Sequence, residues 1–309
     1  MTNYLVFGHK KPDTDTIASA IAFAYFLKQE GHQAEAVALG EITGEPAFAL
    51  DKFGVKPPRI IQTAANEVSN VALVDHNEPQ QSVDDIDQVQ IDYVIDHHRI
   101  SGFNTPQPLY YRAEPLGSTA TILYKMFKEY GYEIPADIAG MMLSAIISDT
   151  LLFKSPTTTE KDKEIAEKLA KIAEVDIPSY GLEFLKAGAD LSKQSDEEIV
   201  DGDAKNFVMN DKSIRIGQTN IIGFEEILSR KNDLLKVMED KRQEMNLELY
   251  VLVITDVLES DSIGLVVGDD VKVVEAAFNT KIENHQFDLP GVVSRKKQVV
   301  PPLTSAFNK

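Results

Sequence analysis

The chain has 309 residues, 43% hydrophobic and 26% charged, the composition of a soluble globular protein with room for two domains. Its formal net charge is −18, from 31 basic and 49 acidic residues. A surface that acidic repels nucleic-acid phosphates and anionic membranes, so neither is expected as a partner, and no apolar run approaches the length of a membrane span. There is no cysteine. Disulfides and thiolate metal sites are therefore excluded, and any metal must be held by oxygen and imidazole, which suits Mn, Mg, Co or Fe.

Residues 4–7 form a short apolar run that reads as a strand, and 16–27 read as a helix. The connecting loop, 8–15, carries His9, Asp13 and Asp15, and Pro12 stiffens its turn. In an open parallel sheet such a loop lies at the carboxyl ends of the strands, where these folds place their sites. The competing reading makes Asp13 or Asp15 a helix cap. No basic segment with a long apolar core precedes the first strand, so no secretory leader is expected. With the lack of cysteine, this gives a cytoplasmic expectation. After a helix stop at Gly31, residues 34–39 and 59–62 read as strands. Two further runs, 71–74 and 92–95, end in Asp75-His76-Asn77 and Asp96-His97-His98-Arg99. Near-continuous apolar runs alternating with helical patterns predict a parallel sheet with helices on both faces.

Further on, 119–130 reads as a helix closed by Gly131, and 136–153 as a helix apolar nearly all round, hence buried. Asp149 lies within that apolar stretch; an isolated buried carboxylate is costly unless paired or metal-bound. The helix at 159–173 is amphipathic, with Glu160, Lys161, Asp162, Lys163, Glu164 and Lys168 read as its solvated face. The small, polar stretch around 188–195 reads as a linker. It divides the chain into a first domain at 1–188, a hinge at 189–195 and a smaller α/β domain at 196–309. That domain shows strands at 207–209, 213–217, 250–254 and 263–267 and helices at 223–245 and 271–278. Ser294-Arg295-Lys296-Lys297-Gln298 is a basic cluster on an acidic chain. It suits phosphate, since Arg offers a bidentate fork and Lys a point charge, although a solvated charge run is the competing reading. Lys205 is a weaker candidate of the same kind.

His9, Asp13, Asp15, Asp75, His97 and Asp149 are more O/N donors than one ion needs. They suit two ions sharing bridging carboxylates, as in two-metal sites about 3.5–4 Å apart. Asp96-His97-His98 resembles the signature of the DHH phosphoesterase superfamily. His9-x-x-x-Asp13-x-Asp15 and Asp75-His76-Asn77 resemble its other N-terminal motifs. The Ser294–Gln298 block resembles one branch, the family II (manganese-dependent) inorganic pyrophosphatases, and the similarity covers essentially the whole chain.

The resemblance implies an N-terminal parallel-sheet DHH-type domain plus a smaller C-terminal α/β domain, and an enzyme that hydrolyses pyrophosphate to two phosphates. It implies one ion held by His9, Asp13, Asp75 and Asp149 and another by Asp15, Asp75, His97 and Asp149. These are Mn²⁺ or Co²⁺, two per subunit, with additional Mg²⁺ arriving with substrate, and the attacking group is a metal-bridged hydroxide. It makes His98, Lys205, Arg295 and Lys296 phosphate-binding residues, with His98 a possible proton donor to the leaving phosphate and Asp96 a partner orienting an imidazole. It places the site between the domains and implies a homodimer through the first domain. Two alternatives stand beside it. One is another DHH phosphoesterase acting on oligonucleotides, cyclic dinucleotides or polyphosphate. Those with bases need stacking surfaces, the chain has no tryptophan, and it lacks the Gly-Gly-Gly-His element many such relatives carry. The other is a sensing module that keeps the site only for binding.

Overall fold

In the first part of the chain β1 (Asn3–Phe7), β2 (Gln33–Ala38), β3 (Arg59–Ile60), β4 (Asn70–Val74), β5 (Gln90–Asp96) and β6 (Tyr110–Ala113) form one sheet. Its order is β3-β2-β1-β4-β5-β6, and every pair is parallel. The computed structural model describes residues 2–189, 191 and 194–308. It divides the chain into two units, Met1–Ala187 and Gly188–Lys309. Residues 190, 192 and 193 of the expected linker lie outside the described residues.

The strand order reverses direction between β1 and β4. The loops that leave these neighbours run to opposite sides and open a crevice at the carboxyl ends, the position where such sheets bind ligands. The α-helices described along this part of the chain are α1 (Thr14–Gln29), α2 (Gly44–Lys52), α3 (Thr119–Tyr130), α4 (Ala136–Thr150), α5 (Glu160–Ala173) and α6 (Ile177–Gly188). On one face of the sheet Tyr93 meets Phe23 of α1, edge to face, at 5.5 Å. On the other, Leu5, Phe7, Val37, Val71, Leu73 and Val94 form a cluster. Connecting segments and the 3-10 turn Ile86–Gln88 close that cluster.

The helix ends explain how the site is built. Asp13 caps α1, its side chain accepting from the Thr16 N–H at 2.9 Å. Ser118 caps α3, and Gly131 ends it in the left-handed conformation at φ 74°. The helix expected over 136–153 stops at Thr150, because Leu151, Leu152 and Phe153 all turn left-handed, at φ 47°, 51° and 67°. Each such residue costs about 1–2 kcal/mol. Packing holds the turn: Leu151 is buried, and Leu152 lies over Gly181 of α6, where a Cβ would come within 2.4 Å of its Cδ1. By composition these residues look like more helix. A second correction concerns α5. Asp162 is not on its solvated face; it is 0% exposed and belongs to a capping box with Thr159.

The second unit contains α7 (Asp196–Asp201), β7 (Ala204–Met209), β8 (Lys212–Ile221), α8 (Glu225–Ser229), α9 (Lys231–Glu244), β9 (Leu249–Asp256), β10 (Asp261–Gly268), α10 (Lys272–Phe278), β11 (Gln286–Leu289) and α11 (Val300–Phe307). The sheet order is β11-β10-β9-β8-β7. Only β8 and β9 run parallel. Alternate residues of β9 enter two cores, Leu249, Val251 and Val253 on one face and Tyr250, Leu252 and Ile254 on the other, as a period of two requires. The single helix expected over 223–245 is two, α8 and α9. The break is at Arg230, whose guanidinium donates to Asp196 Oδ1 at 2.8 Å and to the carbonyls of Leu191 and Gln194. No described helix is long and apolar enough to cross a membrane.

Candidate metal centre

The loops after β1, β4 and β5 and the last turn of α4 bring their acidic and imidazole side chains to one place. His9 Nδ1 lies 2.8 Å from the Lys10 carbonyl oxygen, which accounts for that nitrogen and leaves Nε2 facing the carboxylates. The Asp13 carboxylate divides its work. Oδ1 caps α1, so the capping reading holds, and Oδ2 lies 3.3 Å from His9 Nε2.

Asp75 stands at the end of β4 with φ 58° and is 1% exposed. Its two oxygens face different imidazoles: Oδ2 is 3.6 Å from His9 Nε2, and Oδ1 is 3.5 Å from His97 Nε2. The hydroxyls of Thr16 and Thr119 donate to Oδ2 and Oδ1 at 2.9 and 3.1 Å. His97 Nδ1 is 3.0 Å from the Leu116 carbonyl oxygen, and its Nε2 is 3.6 Å from Asp149 Oδ2. Asp15, 0% exposed, sits at the start of α3. It accepts from Ser19 Oγ, Ser118 Oγ and the N–H groups of Thr119 and Ala120. The unpaired N–H groups of a helix start suit a carboxylate.

All six residues singled out as ligands from sequence are thus neighbours. His9, Asp13 and Asp75 form one group and Asp15, His97 and Asp149 another; within each, ligand atoms lie within 4.8 Å of one another. Asp75, His97 and His98 form a third. Asp96, 0% exposed, lies 2.9 Å from His98 Nδ1 and accepts from the His98 N–H and from Asn77 Nδ2. The imidazole it orients is His98. His76 turns away: its Nδ1 is 2.9 Å from the Val74 carbonyl oxygen, and burial pushes its pKa down to about 4.

Burial, and then the charges of Asp15 and Asp13, hold Asp75 and Asp149 well above the usual carboxylate range. The Asp13 side chain is 49% exposed; desolvation there is outweighed by His9 and the Thr16 N–H, and the net shift is downward. Four crowded carboxylates that repel one another, with two imidazoles presenting Nε2, are a donor set that fits divalent cations of the manganese type.

Sequence reasoning missed the supporting residues. Thr16, Ser118 and Thr119 serve the carboxylates, and Asn77 serves Asp96. Glu45 of α2 accepts from Ser148 Oγ at 2.5 Å, and burial pushes its pKa up to about 7. Ser118-Thr119 before an apolar run is a readable cap signal; that Asp15 would occupy the cap is not readable.

In the second unit Lys205, on β7, and Lys296 are exposed. Arg295 is only 9% exposed; its guanidinium donates to Asp203 Oδ1 at 2.8 Å and to the carbonyls of Asp203 and Ile216. Gln218 accepts from the Arg295 N–H, and Gln298 accepts from those of Val293 and Ser294. The basic cluster is therefore a braced π-turn, Arg295–Val299, rather than a loose charge run.

The family model "DHH family, N-terminal domain" matches residues 3–146, and "DHHA2 domain" matches 182–306. The fold and centre thus define a two-domain DHH-type protein. A "Probable manganese-dependent inorganic pyrophosphatase" of Lactobacillus helveticus is 56% identical, covering 99% of both chains. One of the same name from Listeria monocytogenes is 57% identical over 100% of both. A crystal structure from Methanococcus jannaschii, assigned to the family II inorganic pyrophosphatases, superposes with a TM-score of 0.86 at 45% identity, covering 99% of this chain and 100% of that one. The chain belongs to the family of manganese-dependent, family II inorganic pyrophosphatases. An exopolyphosphatase-related protein of Bacteroides fragilis, 14% identical with a TM-score of 0.53, shares the fold.

Proposed function

We propose that this protein hydrolyses inorganic pyrophosphate to two phosphates, using two Mn²⁺ or Co²⁺ ions and additional Mg²⁺ carried by the substrate. The observation that carries the reading is Asp75, whose two oxygens face His9 and His97 at 3.6 and 3.5 Å, the disposition of a bridging carboxylate. His9, Asp13, Asp75 and Asp149 would hold one ion, and Asp15, His97, Asp75 and Asp149 would hold the other. Bound divalent cations supply charge on the phosphoryl oxygens and lower the pKa of the attacking water.

The chain's own groups do the rest. Thr16 and Thr119 hold Asp75, and the α3 N-terminus holds Asp15, so the ligands are fixed before substrate arrives. His98, oriented by Asp96, binds phosphate and donates a proton to the leaving group. Lys205, Arg295 and Lys296 neutralise phosphate charge. The protein acts in the cytoplasm as a homodimer. The open edge of β6, with Tyr110 partly exposed, supports pairing through the first unit.

The test is to strip metal, reload with Mn²⁺, and measure phosphate release from pyrophosphate and cleavage of a dinucleotide, with bound manganese counted per chain. Pyrophosphate should be hydrolysed far faster, at two ions per chain. Faster cleavage of the dinucleotide would point to another DHH phosphoesterase. Bound manganese without turnover of either would point to a sensing module.

A further inference from the structure

We propose that Asp162 of α5 is a positioning residue for the metal centre, acting through the segment 116–120. The proposal rests on the metal reading above. Asp162 is 0% exposed and has no place among the ligands. Its carboxylate accepts from the Gly117 N–H at 3.1 and 2.9 Å to its two oxygens, from Thr121 Oγ1 at 2.6 Å, and from Thr159 N and Oγ1 at 2.7 Å each.

The Thr159 contacts are a capping box, which needs one oxygen and is ordinarily built at a solvated helix end. The Gly117 and Thr121 contacts cross 45 and 41 residues of sequence and tie α5 to the start of α3. Burying a carboxylate is costly unless every lone pair is served, and here the donors come from both sides.

What this clamp holds matters. The Leu116 carbonyl orients His97 through Nδ1. Ser118, Thr119 and Ala120 supply three of the four residues that donate to Asp15, and Thr119 Oγ1 also holds Asp75. Gly117 lies between Leu116 and Ser118 of this segment. A Cβ there would come within 2.7 Å of Asp162 Oδ2 and 2.9 Å of Thr150 Cγ2, and Thr150 directly follows Asp149. One buried carboxylate thus sets the height of the segment that supports Asp15, Asp75 and His97 and lies beside Thr150, the neighbour of Asp149. Outer partners of metal ligands cost about 10–100-fold in affinity when lost; Asp162 acts one bond further out, so the lower end is expected.

The experiment compares Asp162→Asn with Thr159→Ala, titrating each apo protein with Mn²⁺ and following bound ion by electron paramagnetic resonance, alongside thermal unfolding. Asp162→Asn should bind manganese about 10-fold more weakly, with an altered spectrum. Thr159→Ala removes the cap hydroxyl but not the Gly117 clamp; it should melt earlier while binding manganese like wild type. If Asp162→Asn melts earlier but keeps wild-type affinity and spectrum, the residue is only a cap and the proposal falls. Should that variant fail to fold, Gly117→Ala presses on the same contact from the other side. Weakened manganese binding supports the proposal, and unchanged binding overturns it. Wild-type protein that holds no manganese would instead overturn the metal reading itself, and this inference with it.

Discussion

In the first unit Asp13, Asp15, Asp75 and Asp149 converge with imidazoles, hydroxyls and backbone N–H groups as partners. In the second, each of four guanidinium groups meets a carboxylate at 2.8 Å: Arg215 with Asp201, Arg230 with Asp196, Arg242 with Glu239 and Arg295 with Asp203. Neutral donors fix the geometry of the acidic centre without cancelling its charge. The pKa values of Asp75 and Asp149 are raised first by burial and then by the neighbouring charges of Asp15 and Asp13. In the second unit these guanidinium groups are balanced by carboxylates of the same unit. Arg295 braces its own unit through Asp203 and the Ile216 carbonyl, and meeting phosphate is the second task proposed for it.

The largest effect should come from breaking the acidic side of this contrast. Asp75→Asn or Asp149→Asn should abolish stoichiometric manganese binding. Asp96→Asn, which disturbs the orientation of His98 and the contact with Asn77 but removes no metal ligand, should cost about 10–100-fold in activity while keeping its metal. Metal analysis beside steady-state rates checks this, and equal metal loss in all three would show that Asp96 has been misplaced.

The basic side should respond more mildly and in two readouts. Arg295→Ala should leave metal content intact while raising KM, lowering kcat or both. It should also lower stability by about 1–3 kcal/mol, because the carbonyls of Asp203 and Ile216 lose their donor. Arg295→Lys should restore part of each, since a point charge cannot reproduce the fork. Unchanged kinetics at low pyrophosphate with the stability loss present would make Arg295 a brace only.

The smallest effect concerns Glu45, whose pKa burial raises to about 7. The native state binds its proton more tightly than the unfolded chain. Its stability penalty is therefore absent below the unfolded pKa of 4.5, grows as pH rises, and is complete above about 7. In chelator, Glu45→Gln should melt later than wild type at pH 8, and the difference should vanish near pH 4.5. A difference of the same size at both values would rule out titration of Glu45 as the cause.

The strand-turn-helix at the start of the chain, the Asp/His endings of β4 and β5, the α3 boundaries with Gly131, and the parallel sheet were legible from residues alone. Each is written within about ten residues: an apolar run of the right period, a cap, a glycine, a cluster of ligating side chains. Elements with weak local signals were not. β6 is a half-exposed Tyr-Tyr-Arg-Ala, α2 carries Gly and Pro in its first turn, and α6 has Pro178 and Gly181 within it. Other features were decided only by packing across long stretches of chain. Asp162 looks solvated until α3 is laid over it, residues 151–153 look helical until Leu152 meets Gly181, and Arg295 looks free until Asp203 is placed beside it. The sequence by itself determined which atoms are available to hold cations and on which strand ends they stand, because ligand chemistry and strand period are local. Only the tertiary structure decided that both oxygens of Asp75 face different imidazoles and that one buried carboxylate holds the segment behind them, because such distances join residues that lie far apart in the sequence.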